Sequence, residues 1–283
     1  MDYRFERVGT EDASIAQATA LLRNVFPKAS HFTEPVVRWQ YLDNPDGHVV
    51  GFNAFAGAVL AAHYVAIPLV ARVHGKEERG LLSLNTATHP DHQGKGLFTK
   101  LANLTYEAAA REGFGFVIGV ANANSTHGFT KKLGFQLVAP LMAMVGVGPI
   151  TNKNEYPVAY QRIWHTKAVD WRLGHPRNKY YSALTTCRDL VLTDRTQFGA
   201  RLFLAALDGG TLTSELPEAT GWNPLRVWIG LDSRTNWFLR PYFNIPMRFR
   251  PSPLNLIFKD LTGQGRTLPA DQVRFQAIDF DTL

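Results

Sequence analysis

A single cysteine, Cys187, stands in the 283 residues. A lone thiol closes no internal disulfide, so a disulfide-stapled secreted fold is excluded and a reducing compartment is expected. No stretch approaches ~18 uninterrupted apolar residues, and the opening Met1-Asp2-Tyr3-Arg4-Phe5-Glu6 has no apolar run of signal-peptide kind. A cytoplasmic protein without a membrane span is the expectation. Charge clusters are lacking as well. The net charge of +6 comes from scattered lysines and arginines. That balance suits an anionic ligand, and no aromatic-basic platform points to nucleic acid. No Walker loop occurs, and no Gly-x-Gly-x-x-Gly dinucleotide fingerprint follows a strand. No Cys-His or Ser-His-Asp pattern announces a covalent nucleophile. His89 and His92 have metal-like spacing, but Pro90 and the lack of further ligands nearby argue against zinc.

What is present is an α/β order. Alternation and helical spacing predict a strand at Tyr3–Val8, a helix from Asp12 to about Val25, and a short helix at Val36–Leu42. A hairpin of Val49–Ala56 and Val59–Val73 follows, with Pro68 at a bulge or edge. Gly75-Lys76-Glu77-Glu78 reads as a polar turn before a strand at Leu81–Thr88. After a glycine loop, Leu97, Leu101, Leu104 and Ala108 mark a helix to about Arg111. A buried strand, Phe114–Val120, a short helix, Asn124–Leu133, and a strand from Phe135 complete the unit. The boundaries predicted are a domain at 1–148, a linker at 149–164 and a second unit at 165–283. That unit carries a faint echo of the first: Trp171 with Pro176 answers Trp39 with Pro45, and Val227-Trp-Ile-Gly230 answers Phe116-Val-Ile-Gly119. It reads as a degenerate duplicate without a ligand loop, or as unrelated sequence.

The chemistry gathers at Thr88-His89-Pro90-Asp91-His92-Gln93-Gly94-Lys95-Gly96. Amides at a helix start lack internal partners, and the helix dipole adds positive potential there. Glycines let a phosphate approach that backbone. Acids ordinarily favoured in a first turn are missing, while Lys95 and Lys100 flank it. Both features fit an anion held at this end.

Gln93-Gly94-Lys95-Gly96 resembles the pyrophosphate motif of the GNAT N-acyltransferases, and Lys132-Leu133-Gly134-Phe135 fits a later part of the same pattern. The resemblance covers residues 1 to about 145. Leu84–Pro90, Gly94–Leu101 and Asn122-Ala-Asn-Ser125 are similar to a narrower branch, which includes enzymes acting on nucleotide-linked amino sugars. It implies a GNAT-type mixed sheet flanked by helices, with acetyl-CoA or another acyl-CoA as co-substrate and a nucleotide-linked amino sugar as acceptor. Another amine, or a non-catalytic CoA-binding role, is the alternative.

By the same resemblance the CoA contacts are Thr86, Thr88, Gln93, Gly94, Lys95, Gly96, Leu97, Phe98, Thr99, Asn124, Ser125, Phe129 and Lys132. Asn85 and Ala87 lie on the strand facing the thioester. His63, mid-strand, is either the general base or a hydrogen-bonded strand histidine. Trp39, Tyr41 and Asn122 are acceptor-side candidates, with core packing or capping as their other reading. Asn124 and Ser125 are equally placed to cap a helix. Phe98 departs from the family's usual Gly or Ala, and Phe129, Thr130 and Lys131 offer no tyrosine to serve as general acid.

Overall fold

The computed structural model describes residues 2–148, 150, 157–184, 188–197, 200–208, 216–217, 225–235, 237, 241–250 and 252–280. The first half runs β1 (Arg4–Arg7), α1 (Asp12–Val25), α2 (Glu34–Tyr41), β2 (Val50–Ala56), β3 (Val59–Val73), β4 (Lys76–Thr88), α3 (Leu97–Arg111), β5 (Phe116–Ala121), α4 (Ala123–His127) and β6 (Gln136–Pro140). This is the order expected from sequence. Glu11 occupies the cap position of α1, and α2 starts two residues early because Pro35 fits a first helical turn. The predicted polar turn is tighter: His74 and Gly75 take positive φ, and Lys76 already pairs with Val73.

Pro68 sits inside β3 opposite Leu81. On the other side β2 ends its pairing at Ala66 and β8 begins at Ala71, so the missing N–H faces a gap between neighbours. The gap is closed by Asn44, whose Nδ2 donates to the Pro68 carbonyl at 2.8 Å.

The rest of the chain adds β7 (Met142–Val147), β8 (Tyr160–Arg162), α5 (Thr166–Leu173), β9 (Tyr180–Leu184), β10 (Arg188–Gln197), β11 (Ala200–Asp208), β12 (Leu225–Asp232), β13 (Tyr242–Asn244), β14 (Asn255–Asp260) and β15 (Val273–Gln276). All fifteen strands join one mixed sheet. In the first half β2, β3 and β4 are antiparallel and β4 is parallel to β5. In the second half β9, β10 and β11 are antiparallel and β11 is parallel to β12. The pairing pattern therefore occurs twice.

The halves also exchange strands. β14, from the C-terminal part, lies between β5 and β6, and β7, from the N-terminal part, lies between β12 and β13. The expected linker 149–164 contains β8, which pairs with β3 and β15. No single cut in the chain therefore separates the two halves of the sheet.

Two packed layers flank the first half of the sheet. One face of β2–β5 meets α3 through Leu97, Leu101, Ala102, Tyr106 and Ala109. The other face meets α1 and α2 through Ile15, Leu22, Val37, Trp39 and Tyr41, in a core that continues into the second half. Each large apolar side chain buried this way stabilises the fold by roughly 1.5–3 kcal/mol. No helix among the described residues is long and apolar enough to cross a membrane.

Candidate active site

β4 and β5 pair in parallel only from Gly80–Phe116 to Ser83–Gly119. Beyond that point β4 continues to Thr88 and β5 to Ala121 without pairing to each other, so the strands part. Gly119 stands at the fork, where an added Cβ would lie 3.3 Å from the Ser83 Cβ. The β5-facing edge of Leu84–Thr88 is thus left without a strand ladder, exposing backbone donors and acceptors to whatever enters the fork.

A bulge shapes that edge. His63 pairs with Ala87 and Val65 with Leu84, so Asn85 and Thr86 together oppose Tyr64 alone. Asn85 has φ of +49°. This left-handed conformation is uncommon for a residue other than glycine, although asparagine tolerates it better than most. Its Nδ2 donates to Gln40 Oε1 at 2.6 Å and to the Tyr41 hydroxyl at 3.2 Å. The Tyr41 hydroxyl is 2.8 Å from His63 Nε2, and His63 Nδ1 is 2.6 Å from Asn53 Oδ1. One proton arrangement satisfies every link: Asn85 donates to Tyr41, Tyr41 to His63, and His63 Nδ1–H to Asn53.

Of the two readings of His63, this network favours the hydrogen-bonded strand histidine over a base facing an acceptor cleft. His63 is 1 % exposed and both ring nitrogens are engaged. Burial pushes its pKa down to about 3, so it is neutral in ordinary buffers. Trp39 and Tyr41 likewise fit the core-packing reading, since both are buried and tied to internal partners. Burial raises the Tyr41 pKa far above its ordinary value.

At the far end of β4 the glycine loop opens α3. A short 3-10 turn, Pro90–His92, is followed by Gln93 and Gly94, and Gly96 is the cap residue. Gly94 and Gly96 both have φ of +74°, and neither has an atom within 4 Å of where a Cβ would stand. The glycines are required by backbone conformation, and they leave open space at the helix start. No side chain caps α3 and its first turn holds no acid. The exposed Lys95 bonds the Asp91 carbonyl at 3.2 Å, and Gln93 Nε2 bonds the Thr88 carbonyl at 3.5 Å. His92 is buried, with Nδ1 2.9 Å from the Tyr3 hydroxyl. Leu97 is buried beneath the loop, while Phe98 and Thr99 are half-buried.

β5 leads into α4, where Asn122 Oδ1 accepts from Ser125 N at 3.0 Å and Ser125 Oγ accepts from Asn122 N at 3.1 Å. Asn122 and Ser125 thus form a reciprocal cap, and Asn124 is exposed beside them. Phe129 falls in a π-helical turn, Gly128–Lys132, and is buried edge-on against Phe98 at 5.3 Å. Lys132 is exposed. The fork edge (Asn85, Thr86, Ala87, Thr88), the glycine loop and the Phe98–Phe129 contact therefore surround the start of α3. Trp39, Tyr41 and His63 lie behind β4 instead.

Sequence reasoning passed over Gln40 and Asn53. Their signal was a polar residue inside an apolar run, Asn53 opposite His63 on the neighbouring strand.

The description that matches the sequence is Acetyltransferase (GNAT) domain, over residues 9–138. Residues 9–138, a little under half of the chain, are similar to that family. The match spans α1 to β6 and includes the bulge, the fork and the glycine loop. Solved structures are similar over most of the chain. A GCN5-related N-acetyltransferase from Anabaena variabilis is 12% identical with a TM-score of 0.63, covering 92% of this chain and 73% of that one. A probable N-acyltransferase from Enterococcus faecalis is 12% identical with a TM-score of 0.62 and the same coverage. Eis1 from Mycobacterium abscessus is 10% identical with a TM-score of 0.60, covering 92% of this chain and 74% of that one. At such identity these similarities establish the fold, and their coverage includes the second half. No functionally curated protein matches the sequence.

Proposed function

We propose that this protein transfers an acyl group from acyl-CoA to an amine. One observation carries the reading: a glycine loop presents uncapped, acid-free helix amides beside the fork between β4 and β5. The amides opening α3, with Lys95, would hold the diphosphate of the co-substrate. The pantetheine arm would add to the unpaired edge of β4 as an extra strand does, placing the thioester near Thr86, Ala87 and Thr88. A backbone N–H there would stabilise the oxyanion as the amine attacks the carbonyl carbon. The tetrahedral intermediate would collapse with loss of CoA thiolate, and the proton released by the amine nitrogen would pass to that thiolate or to water. A thioester is already activated, so the amine attacks directly and no acyl-enzyme is needed. Phe98 and Phe129 form the apolar wall beside the helix start.

The second half repeats the strand pattern of the first, which supports its reading as a degenerate GNAT-like repeat. Its sequence from Gly209 to Pro224, between β11 and β12, holds no counterpart of Gln93-Gly94-Lys95-Gly96.

For the acceptor, the amino group of a nucleotide-linked amino sugar is the first class to screen. That choice rests on Leu84–Pro90, Gly94–Leu101 and Asn122–Ser125 alone. The test is thiol release from acetyl-CoA, read with a thiol reagent, across amino sugars, polyamines, aminoglycosides and peptides. Amine-dependent thiol release is expected. Brisk acylation of a peptide or polyamine with all sugars inert would replace the acceptor class, and no release with any amine would overturn the enzymatic reading.

A further inference from the structure

We propose that the second half acts on the reaction through the stacked pair Trp39–Trp171, which positions the β4 bulge. The two indoles lie 4.4 Å apart between centroids with 12° between planes. Trp39 Nε1 donates to the Trp171 carbonyl at 2.8 Å, and Trp171 Nε1 donates to the Trp39 carbonyl at 2.9 Å. Both tryptophans stand in the last turn of their helices, α2 and α5. Carbonyls in a last turn have no partner within the helix. Each indole thus caps the other helix, and the pair fixes the end of α2 in position.

The next two residues of α2 reach the active strand. Gln40 and Tyr41 receive the two amide hydrogen bonds of Asn85, the residue at positive φ in the bulge. Gln40 is 2 % exposed and Tyr41 is fully buried, so water does not replace these bonds. Tyr41 is held in turn by His63 and Asn53. α5 is anchored on its own side: Arg172 donates to the Ile278 and Phe280 carbonyls at 3.2 and 3.1 Å, and the His175 ring meets Trp39 edge-on at 4.6 Å. A continuous path thus runs from the second half through Trp171, Trp39, Gln40 and Tyr41 to Asn85. Trp171, Trp39, Gln40 and Tyr41 are positioning residues, acting through the bulge that aims the amides of Thr86–Thr88. This rests on the acyl-transfer reading of that edge.

The test uses the full chain. Trp171→Phe keeps a stacking ring but removes the indole N–H. Asn85→Gly keeps positive φ accessible but removes the amide. Gln40→Leu removes one arm without touching the tryptophan pair. Each single variant is expected to lower kcat about tenfold with KM for acetyl-CoA within about twofold, because small misalignments at the reacting centre cost rate steeply. Trp171→Phe combined with Asn85→Gly should fall no further than either alone, as coupled residues are not additive. Hydrogen exchange gives a readout independent of turnover. Trp171→Phe should speed exchange at Asn85–Thr88 and leave Val50–Ala56 unchanged. Multiplying effects in the double variant, or wild-type kcat in Gln40→Leu, would overturn the proposal. Unchanged exchange at Asn85–Thr88, or equal acceleration in both segments, would do the same. If the wild type acylates no amine, the acyl-transfer reading fails while the exchange measurement still decides whether the path exists.

Discussion

Ile257 of β14 lies directly opposite Gly119 of β5, so a strand from the C-terminal part of the chain borders the fork. Leu256, Ile257 and Phe258 are each at most 1 % exposed, and β14 forms ladders with both β5 and β6. A fragment of residues 1–148 would lack all three and expose two strand edges. Their burial is worth roughly 1.5–3 kcal/mol apiece, a sum comparable with a typical domain stability of about 5–15 kcal/mol. The fragment is expected to be insoluble or to lack fixed tertiary packing, seen as lost near-ultraviolet dichroism. A peptide of residues 252–268 added during refolding should restore part of that signal. A soluble, cooperatively unfolding fragment would show that β14 is dispensable.

The element order of the first half was legible because its signals are local: apolar alternation in Val59–Val73, helical spacing from Leu97 to Ala108, and glycine punctuation around both. The glycine loop was legible for the same reason. The strand exchange was not, since nothing in Met142–Val147 or Asn255–Asp260 says which sheet an apolar strand will join. Trp39, Tyr41 and His63 each kept two readings because residue type alone does not tell a buried hydrogen bond from an exposed one. Periodicity assigns faces to Trp39 and Tyr41 but not the neighbour on each face. The bulge at Asn85 depends on a register of one extra residue against β3, which only the paired strands reveal. The echo between Trp39 and Trp171 was visible as spacing, and the structure brings those two residues together.

The neutral, enclosed His63 predicts a pH dependence of stability rather than of catalysis. In the unfolded chain the imidazole titrates near its ordinary value of 6.5, whereas burial lowers the folded value to about 3. Between these values the unfolded chain binds the proton and the folded one does not. The stabilisation is therefore complete above pH 6.5 and is lost as pH falls toward 3, at up to about 1.4 kcal/mol per unit. Denaturant unfolding should show a loss of about 2 kcal/mol from this group between pH 7.5 and 5. His63→Gln should be less stable at pH 7.5, with a shallower acid slope. The kcat profile should show no inflection that His63→Gln removes; one that vanished in the variant would return His63 to the chemistry.

Lys95 makes a test of the loop that is nearly free of folding effects. Its side chain is exposed, and its hydrogen bond goes to a backbone carbonyl four residues back. Lys95→Glu should shift the melting temperature by no more than about 2 °C, as surface changes usually stay within about 0.5 kcal/mol. A reversed charge beside a diphosphate should weaken acetyl-CoA binding about tenfold or more at low ionic strength, and less at high salt. Calorimetric titration at two salt concentrations reads both effects. Unchanged affinity would remove the loop from the binding site.

Gly96 and Gly57 separate backbone strain from ligand binding. Both have positive φ, +74° and +61°, and at both an added methyl would meet nothing within 4 Å. Gly96 caps α3 in the loop, whereas Gly57 lies in the turn between β2 and β3. Alanine at either site bears the left-handed backbone penalty of about 1–2 kcal/mol. Gly57→Ala and Gly96→Ala should therefore lower the melting temperature by similar amounts. They should differ in acetyl-CoA affinity, because at Gly96 the methyl stands where, on the proposed reading, the helix amides would meet the diphosphate. Titration of both variants below their melting temperatures should show wild-type binding for Gly57→Ala and a loss of about tenfold or more for Gly96→Ala. Equal affinities would mean that the open space at the start of α3 is not the space the diphosphate fills.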